Sequence, residues 1–320
     1  MRSSLRFLRV GALVAALVLV AAACGDDDDN GGGDGGGGGS STIRIDGSST
    51  VAPLSEAAAE LFQEENSSVT VDVATSGTGG GFEKFCNGET DISDASRQIA
   101  DDEIAACEAN GITFEEVTVA NDALSVLVNP ENPVDCLTVE QLTAIWAPDS
   151  TLSNWSEIPG LEVDFDEPLD LYGPGTDSGT FDYFTDAING EEGAQRTDYN
   201  NIGEDDNQGI TGITGSTGGM FYVGFSYFVE NEGAAKALQI DGGEGCVEPS
   251  IETVQDGSYQ PLGRGLFIYP SGQALESQNV LDFVTFYIEN QATITEAAGY
   301  IPLTDEQEAE ALTKVESLTG

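Results

Sequence analysis

The chain of 320 residues contains 57 acidic residues, 10 basic residues and no histidine, for a formal net charge of −47. The lack of histidine excludes a Ser-His-Asp hydrolase. The negative charge argues against nucleic acid as a partner and against the collection of any anion by long-range attraction. Such a surface resembles those of proteins adapted to high salt, where the Debye length falls to about 3 Å at 1 M.

The first 23 residues have the composition of an export signal. Basic residues come first, an apolar stretch follows over 10–23, and small residues lead directly to Cys24. The basic residues are Arg2, Arg6 and Arg9. The pattern resembles a bacterial lipoprotein signal with Ala21 where leucine is usual, and a plain secretory signal is the alternative. We expect a signal peptide over 1–23, lipidation of Cys24 and an extracytoplasmic protein anchored to the cell membrane.

Residues 24–42 are rich in aspartate and glycine and contain little to bury, so we expect a flexible tether there. The folded part then begins near residue 43 and has roughly 280 residues, enough for two lobes. Seven basic residues remain after the leader against 57 acidic ones, which gives the remainder a net charge of −50.

Four further cysteines in an exported chain predict disulfide bonds, with free buried thiols as the alternative. They are Cys86, Cys107, Cys136 and Cys246. Four cysteines allow three pairings. Their spacing fits no zinc motif, so we expect neither a metal site nor a cofactor.

Two strand–turn–helix units follow each other after the tether. A strand over 42–46 leads into Gly-Ser-Ser-Thr and a helix over 51–65, and a strand over 69–73 leads into the glycine-rich turn 76–81 and a helix that begins at Phe82. Glycine lets the backbone approach a ligand, and the free N–H groups of a helix's first turn attract an anion. Each unit is therefore a candidate oxyanion cradle.

A short strand within 90–99 ends where Asp94, Ser96 and Arg97 crowd together, and a helix is predicted over 101–110. Only four arginines follow the leader, so the position of Arg97 beside Ser96 favours an anion site. A surface ion pair with one of the many acids is the alternative.

The third cradle is the most pronounced. A strand over 170–172 runs into Gly-Pro-Gly-Thr-Asp-Ser-Gly-Thr and a helix over 181–188. Thr176, Ser178 and Thr180 add hydroxyl groups to the turn, and an ordinary helix cap by the serine is the alternative.

The other elements alternate between strand and helix. Strands are predicted over 114–119, 121–130, 221–228 and 259–269, and helices over 137–146 and 280–290. This alternation predicts α/β lobes with largely parallel sheets. The cradles fall at the carboxyl ends of strands, where such folds bind ligands.

Four loops, in order along the chain, resemble the phosphate loops of the PstS family, the substrate-capturing subunits of phosphate ABC transporters. They are 47–53, 76–82, 94–97 and 173–181. The resemblance implies a two-lobed, type II periplasmic-binding-protein-like clamshell with chain crossings near Asn121 and Leu262. Lobe one would be 43–121 plus 263–320, and lobe two 122–262.

The resemblance also implies the ligands of the phosphate. They are Ser49, Thr50, Ser76, Thr78, Gly79, Asp94, Ser96, Arg97, Thr176, Asp177, Ser178, Gly179 and Thr180. Some family members have an arginine where this chain has Pro174 and Gly175. We expect Arg97 to replace it from the opposite loop, because a guanidinium fork matches phosphate geometry.

One aspartate should separate phosphate from sulfate, because an ionised carboxylate accepts a hydrogen bond from a protonated oxygen and repels a bare one. Asp94 is the first candidate, held beside the anion by Arg97, and Asp177 is the second unless it caps a helix. The implied lobes also select the disulfide pairs Cys86–Cys107 and Cys136–Cys246, since a bond across lobes would restrain the hinge.

The sequence therefore predicts a monomeric solute-binding lipoprotein, and not an enzyme, that delivers inorganic phosphate to the permease and ATPase subunits of an ABC transporter. Binding of another oxyanion such as sulfate or molybdate is the nearest alternative. A secreted hydrolase is a weaker one, since the aspartic-protease tripeptide at 177–179 occurs once. An adhesion role stays open as a secondary activity.

Overall fold

The computed structural model describes residues 41–319. The predicted signal peptide, the lipidation site Cys24 and nearly all of the predicted tether lie outside the described residues. Within 41–319, every helix is too short or too polar to cross a membrane.

The described residues form strands and helices that alternate over much of the chain. The strands are β1 Ser41–Gly47, β2 Val69–Thr75, β3 Ile92–Ala95, β4 Val117–Val128, β5 Cys136–Thr138, β6 Asp170–Gly173, β7 Asn200–Asn201, β8 Gly219–Gly224, β9 Lys236–Ala237, β10 Gln239–Asp241, β11 Cys246–Val247 and β12 Gly263–Pro270. The helices are α1 Ala52–Glu65, α2 Gly77–Cys86, α3 Asp101–Ala109, α4 Val139–Trp146, α5 Gly179–Asn189, α6 Asp206–Gly215, α7 Phe225–Glu230, α8 Ile251–Gln255, α9 Gly272–Leu275, α10 Gln278–Glu289, α11 Gln291–Ala298 and α12 Asp305–Thr319.

Nine strands form one mixed sheet in the order β2-β1-β3-β12-β4-β8-β6-β7, with β9 added to β4. The pairs at the two ends are parallel, as predicted. The prediction of largely parallel sheets is wrong for the middle, where β12 and β4 run antiparallel to their neighbours. These two strands carry the chain across the molecule in opposite directions, so they must pair antiparallel. A smaller sheet has the order β11-β10-β5.

Two large hydrophobic cores lie on either side of the crossing strands. The N-terminal core includes Ile43, Phe62, Leu266, Phe283 and Tyr287. The central core includes Leu124, Trp146, Phe184, Tyr222 and Leu262. Strand β4 contributes to the first core up to Ala120 and to the second from Ala123 onward. The fold is thus the predicted two-lobed α/β clamshell with two crossings.

Several element boundaries differ from the predictions. Residues 117–128 form one strand instead of two, because positions 120 to 122 stay paired with β12. The predicted strand over 221–228 is wrong beyond Gly224, where α7 begins. Helix α2 begins at Gly77 and not at Phe82, so the glycine-rich stretch is the first turns of a helix. Aromatic β-propensity depends on context, which explains the error in α7.

The predicted disulfide pairing is confirmed. Cys86 and Cys107 join α2 to α3 with Cα atoms 4.2 Å apart, and Cys136 and Cys246 join β5 to β11 across 110 residues. Cys86 and Cys107 pack beside β12 with Phe82 and Tyr269, whereas the second bond ties the small sheet together. Neither bond links the N-terminal core to the central core, so both leave the crossing strands unrestrained.

Candidate functional site

Two adjoining cavities of about 460 Å³ each collect the predicted loops. They share a wall formed by Ser49, Thr50, Gly179, Tyr183 and Arg264. The cavity that we call the Arg97 cavity is also lined by Ser76, Thr78, Gly79, Ser96 and Arg97. The one that we call the Tyr300 cavity is also lined by Asp177, Ser178, Thr180 and Tyr300.

Three helices begin at these cavities without a side-chain cap. The N-cap residues of α1, α2 and α5 are Val51, Ser76 and Ser178, and none of them makes a side-chain hydrogen bond to its helix. Elsewhere Thr138 and Ser250 do cap their helices. At α1 the backbone already uses these donors: Pro53 has no N–H, and the N–H groups of Ala52 and Leu54 donate to the Ser48 and Val51 carbonyls. The first-turn N–H groups of α2 and α5 are donors that an anion can satisfy, and the helix dipole adds positive potential there. The serine of the third cradle is therefore not an ordinary cap.

Close backbone packing explains two of the cradle glycines. A Cβ atom on Gly47 would lie 2.0 Å from the carbonyl oxygen of Asp94, and one on Gly81 would lie 2.5 Å from the Cα of Gly47. The Ser48 N–H donates to that same Asp94 carbonyl at 2.9 Å. The first loop is thus fixed between β3 and α2, and only glycine permits that contact.

Hydroxyl groups in the Arg97 cavity are partly engaged. The Ser76 hydroxyl donates to Asp46 at 2.7 Å, and Lys84 forms an ion pair with the same carboxylate. Burial raises the pKa of Asp46, but the hydrogen bonds from Lys84 and Ser76 outweigh it and leave the pKa below its usual value. Thr78 Oγ1 accepts from the Ser96 N–H at 3.3 Å and lies 3.1 Å from Ser96 Oγ. Because the Ser76 hydroxyl proton is donated to Asp46, the Ser76 oxygen can only accept a hydrogen bond from a ligand.

Arg97 does not hold Asp94, which corrects that part of the prediction. Its Nη1 and Nη2 donate to the two carboxylate oxygens of Glu103, each at 2.8 Å, and Nη1 also donates to the Gln98 carbonyl at 3.0 Å. The hydrogen bond to Glu103, against the effect of burial, raises the pKa of Arg97. Its side chain is 44% exposed. The ion-pair alternative thus describes Arg97 as it stands, although the side chain also lines the cavity.

Asp94 lies behind the loops and lines neither cavity. It is fully buried, and its Oδ1 accepts from the Ser55 hydroxyl at 2.9 Å. Its Oδ2 is buried without a hydrogen-bond partner among residues 41–319. Burial raises the pKa of Asp94 to about 8. Burial therefore opposes the ionised form that the predicted role of Asp94 assumes.

Arg264 is absent from the predicted ligands, yet it lies on the wall between the cavities. Its Nε and Nη2 both donate to Oδ2 of Asp122 at 3.1 Å. Its guanidinium carbon lies 3.5 Å from the centre of the Tyr183 ring, a cation–π contact. Two sequence signals could have indicated it: arginine is scarce after the leader, and position 264 is next to a predicted crossing.

Tyr183 and Tyr300 are two further lining residues that are absent from the predicted ligands. The Tyr183 hydroxyl donates to the Pro261 carbonyl at 3.1 Å, and the Tyr300 hydroxyl donates to the Thr50 carbonyl at 2.8 Å. Burial raises the pKa of both phenols, so both stay neutral donors. They hold α5 against the segment before β12, and the first loop against the C-terminal half of the chain.

Acidic side chains surround the hydroxyls and arginines. Asp182, Asp186 and Glu192 line the Arg97 cavity, and Glu204 and Asp206 line the Tyr300 cavity. Burial, with Glu204 and Asp205 nearby, raises the pKa of Asp206 to about 6. An anion therefore has to be bound by short contacts, because the surroundings repel it.

Most of the predicted ligands line one of the two cavities. Asp94 is the buried exception. Thr176 is the other, since its exposed hydroxyl donates to Asp177 at 3.1 Å and it lines neither cavity. Asp177 itself lines the Tyr300 cavity, and the N-cap of α5 is Ser178 instead.

The fold and these converging helix ends define a two-lobed solute-binding protein. A model described as a PBP superfamily domain matches residues 32–291. Protein SphX of Synechococcus elongatus is 45% identical over 264 residues, which are 82% of this chain and 77% of that protein. The phosphate-binding protein PstS of Staphylococcus saprophyticus is 34% identical over 285 residues, 87% of this chain and 85% of that one.

The fold is also similar to that of a solved crystal structure. It is that of a possible phosphate binding protein from Planctomyces limnophilus, 41% identical, with a TM-score of 0.81 and coverage of 88% of this chain and 99% of that one. The chain belongs to the PBP superfamily and, within it, to the PstS-type phosphate-binding proteins. The family predicted from the four loops is confirmed.

Proposed function

We propose that this protein captures inorganic phosphate between its two lobes and delivers it to an ABC permease. The observation that carries the proposal is the convergence of two uncapped helix N-termini, those of α2 and α5, and the Ser49–Thr50 loop on adjoining cavities. Such ends supply several N–H donors to one oxyanion without any requirement for bulk positive charge. The names of the relatives, phosphate-binding proteins among them, support phosphate as the ligand.

The proposed ligands come from the loops on both sides of the crossing strands. They are Ser49, Thr50, Thr78, Gly79, Ser96, Asp177, Ser178, Gly179 and Thr180. We leave Thr176 out because its hydroxyl is exposed and bonded to Asp177. Ser76 is kept as an acceptor of a phosphate proton, since its own proton is directed to Asp46. Asp94 lines neither cavity, but it is kept as the proposed selectivity carboxyl because its unpartnered Oδ2 needs a hydrogen-bond partner, which an anion bound at the neighbouring loops would supply on closure.

Closure of the lobes on phosphate follows from this ligand set. We propose lobe one as residues 43–121 plus 263–320 and lobe two as 122–262, which is supported by the change of core along β4. An anion that contacts Thr50 and Thr78 in one lobe and Ser178 in the other favours the closed form by its differential contacts. Membrane anchoring through lipidated Cys24 and an extracytoplasmic location complete the proposal.

Calorimetric titration of the purified protein with phosphate, arsenate, sulfate and molybdate tests the proposal. We expect tight binding of phosphate, no measurable sulfate binding at alkaline pH, and a smaller radius of gyration by X-ray scattering when phosphate saturates. Tight binding of sulfate or molybdate without phosphate binding would assign the protein to another oxyanion. Absence of binding by all four anions would overturn the proposal.

A further inference from the structure

We propose that Arg264, positioned by Asp122, is the arginine that binds the anion, and that Arg97 is not. The inference rests on the proposed capture of phosphate. Arg264 and Arg97 are the two arginines that could face the ligand. Among the seven basic side chains of residues 41–319, only these two line the cavities.

The position of Arg264 is the first argument. It lies on the wall that both cavities share, with Thr50 and Gly179. Its Nη2 lies 3.5 Å from Thr50 Oγ1, and a Cβ atom on Gly179 would lie 3.4 Å from the same oxygen. Thr50 belongs to the first cradle and Gly179 begins α5 in the third. The guanidinium is therefore at the place where the two cradles meet.

The hydrogen bonds of Arg264 leave its terminal fork available. A guanidinium has five N–H donors. Asp122 accepts one from Nε and one from Nη2, and the Ser96 carbonyl accepts one from Nη1 at 3.2 Å. One N–H then remains on each terminal nitrogen, and that of Nη2 has only the 3.5 Å contact with Thr50. Two N–H groups on neighbouring nitrogens match two oxygens of a phosphate.

Arg97 offers less. The two carboxylate oxygens of Glu103 occupy its terminal fork, one on each terminal nitrogen. Its side chain is 44% exposed, against 18% for Arg264, so water competes more strongly for its donors.

Asp122 and Tyr183 fix the orientation of Arg264. Asp122 binds the Nε–Nη2 edge through a single oxygen, which directs the other edge away from the carboxylate. The Tyr183 ring covers one face of the guanidinium, and its hydroxyl is tied to Pro261. Because Tyr183 belongs to α5 and Ser96 follows β3, Arg264 contacts both sides of the clamshell. A bound anion at this point would therefore join the two lobes through an already ordered side chain.

Titration of single variants with phosphate tests the assignment. Arg264→Gln should weaken phosphate binding by about 100-fold or more, since two charge-assisted hydrogen bonds are lost. Arg264→Lys should keep the charge and still lose at least about tenfold, because lysine lacks the fork. Arg44→Gln is the charge-matched control outside the cavities and should bind as the parent does. If Arg264→Gln binds like the parent while Arg97→Gln loses affinity, the assignment is wrong.

The sign of the effect at Asp122 tests its positioning role. Asp122→Asn removes a negative charge near a dianion, so electrostatics alone would strengthen binding. We expect binding to weaken by about tenfold, because a weaker acceptor no longer fixes the guanidinium. Glu204→Gln removes the same charge from the Tyr300 cavity and should not weaken binding. Equal or stronger binding in Asp122→Asn would contradict the positioning role.

Loss of folding in a variant has to be distinguished from loss of phosphate binding. If Arg264→Gln does not fold because Asp122 is left unpaired, the double variant Arg264→Gln/Asp122→Asn removes both charges and is titrated instead. A parent protein that binds no phosphate would overturn the proposed function, whereas a parent that binds and a double variant that binds equally well would overturn only the assignment of Arg264.

Discussion

The buried environment of Asp94 makes the charge of its carboxyl group depend on pH near pH 8. Burial raises its pKa to about 8, and Oδ2 has no hydrogen-bond partner among residues 41–319. A protonated carboxyl can donate to phosphate or to sulfate alike. An ionised carboxyl can only accept, which requires a proton on the anion. Discrimination by Asp94 should therefore be weak below pH 8 and strong above it.

We predict that the dissociation constant for sulfate rises about tenfold per pH unit above pH 8, because sulfate binding then requires uptake of one proton by Asp94. Phosphate, which carries its own proton there, should bind with little change. Asp94→Asn should remove the pH dependence, admit sulfate at alkaline pH and weaken phosphate. Titration calorimetry between pH 6 and about 10 measures each constant. Asp177→Asn is the matched control, and loss of the pH dependence in that variant would make Asp177 the selectivity carboxylate.

Local sequence could predict the loops of the site but not its arginine. Glycine and hydroxyl residues between a strand and a helix predict a ligand loop from local sequence alone. Thr50, Thr78 and Ser178 could therefore be predicted as site residues. The partner of Arg264 is 142 positions away at Asp122. Nothing in the local pattern of a strand indicates such a pairing. Arg97 and Glu103 are only six positions apart, but the chain has so many acidic residues that the sequence did not indicate which of them pairs with Arg97.

At the scale of elements, α2 shows why two neighbouring glycines are not equivalent. Gly81 packs against Gly47, and a Cβ atom there would also lie 2.9 Å from the Asp46 carbonyl oxygen. Gly79 has more space, since the nearest heavy atom to a Cβ there, the Nη2 of Arg97, would lie 3.8 Å away. Helix propensity favours alanine at both positions, and packing forbids it at one.

Alanine substitutions at these positions should therefore change stability in opposite directions. Gly81→Ala should lower the free energy of unfolding by about 1–3 kcal/mol through overpacking. Gly79→Ala should raise it by up to about 1 kcal/mol because alanine loses less backbone entropy in a helix. Urea unfolding of the purified proteins, followed by circular dichroism, measures both. Changes of the same sign would show that the contact between α2 and β1 is not the reason for Gly81.

The order of strands and helices could be predicted from the sequence. The antiparallel pairing that makes one sheet of the two parallel ends could not. The parallel ends follow from strand–helix–strand connections that are short in sequence. The pairs of β12 with β3 and β4 connect segments that are far apart in the chain. Their register depends on which residues meet, such as Gly265 opposite Asn121, and no periodicity within either segment encodes that choice.

At the scale of the whole molecule, the described residues present no unpaired cation. Each of the seven basic side chains in 41–319 forms an ion pair with an aspartate or glutamate. The remaining acids give a field that repels phosphate at long range. Short hydrogen bonds must supply the affinity, and these are screened less than the repulsion.

We therefore predict that the association rate of phosphate stays constant or increases, by up to about tenfold, between low salt and 1 M NaCl. Stopped-flow mixing at several salt concentrations measures this rate, and unfolding midpoints in the same buffers show that the fold is intact. A steep decrease in the rate with ionic strength, in the folded protein, would mean that a net attractive field guides the anion to the site.

The two hydrophobic cores differ in how the chain builds them. Apart from Ile301, the central core consists of residues between 123 and 262, whereas the N-terminal core combines residues near the start with β12 and the helices that follow it. In the proposed export the N-terminal end of the folded part crosses the membrane first, so β3 has to wait until β12 has followed it. During that interval β3 has an open edge that another chain could occupy. The half that is synthesised first is thus the half whose core is completed last.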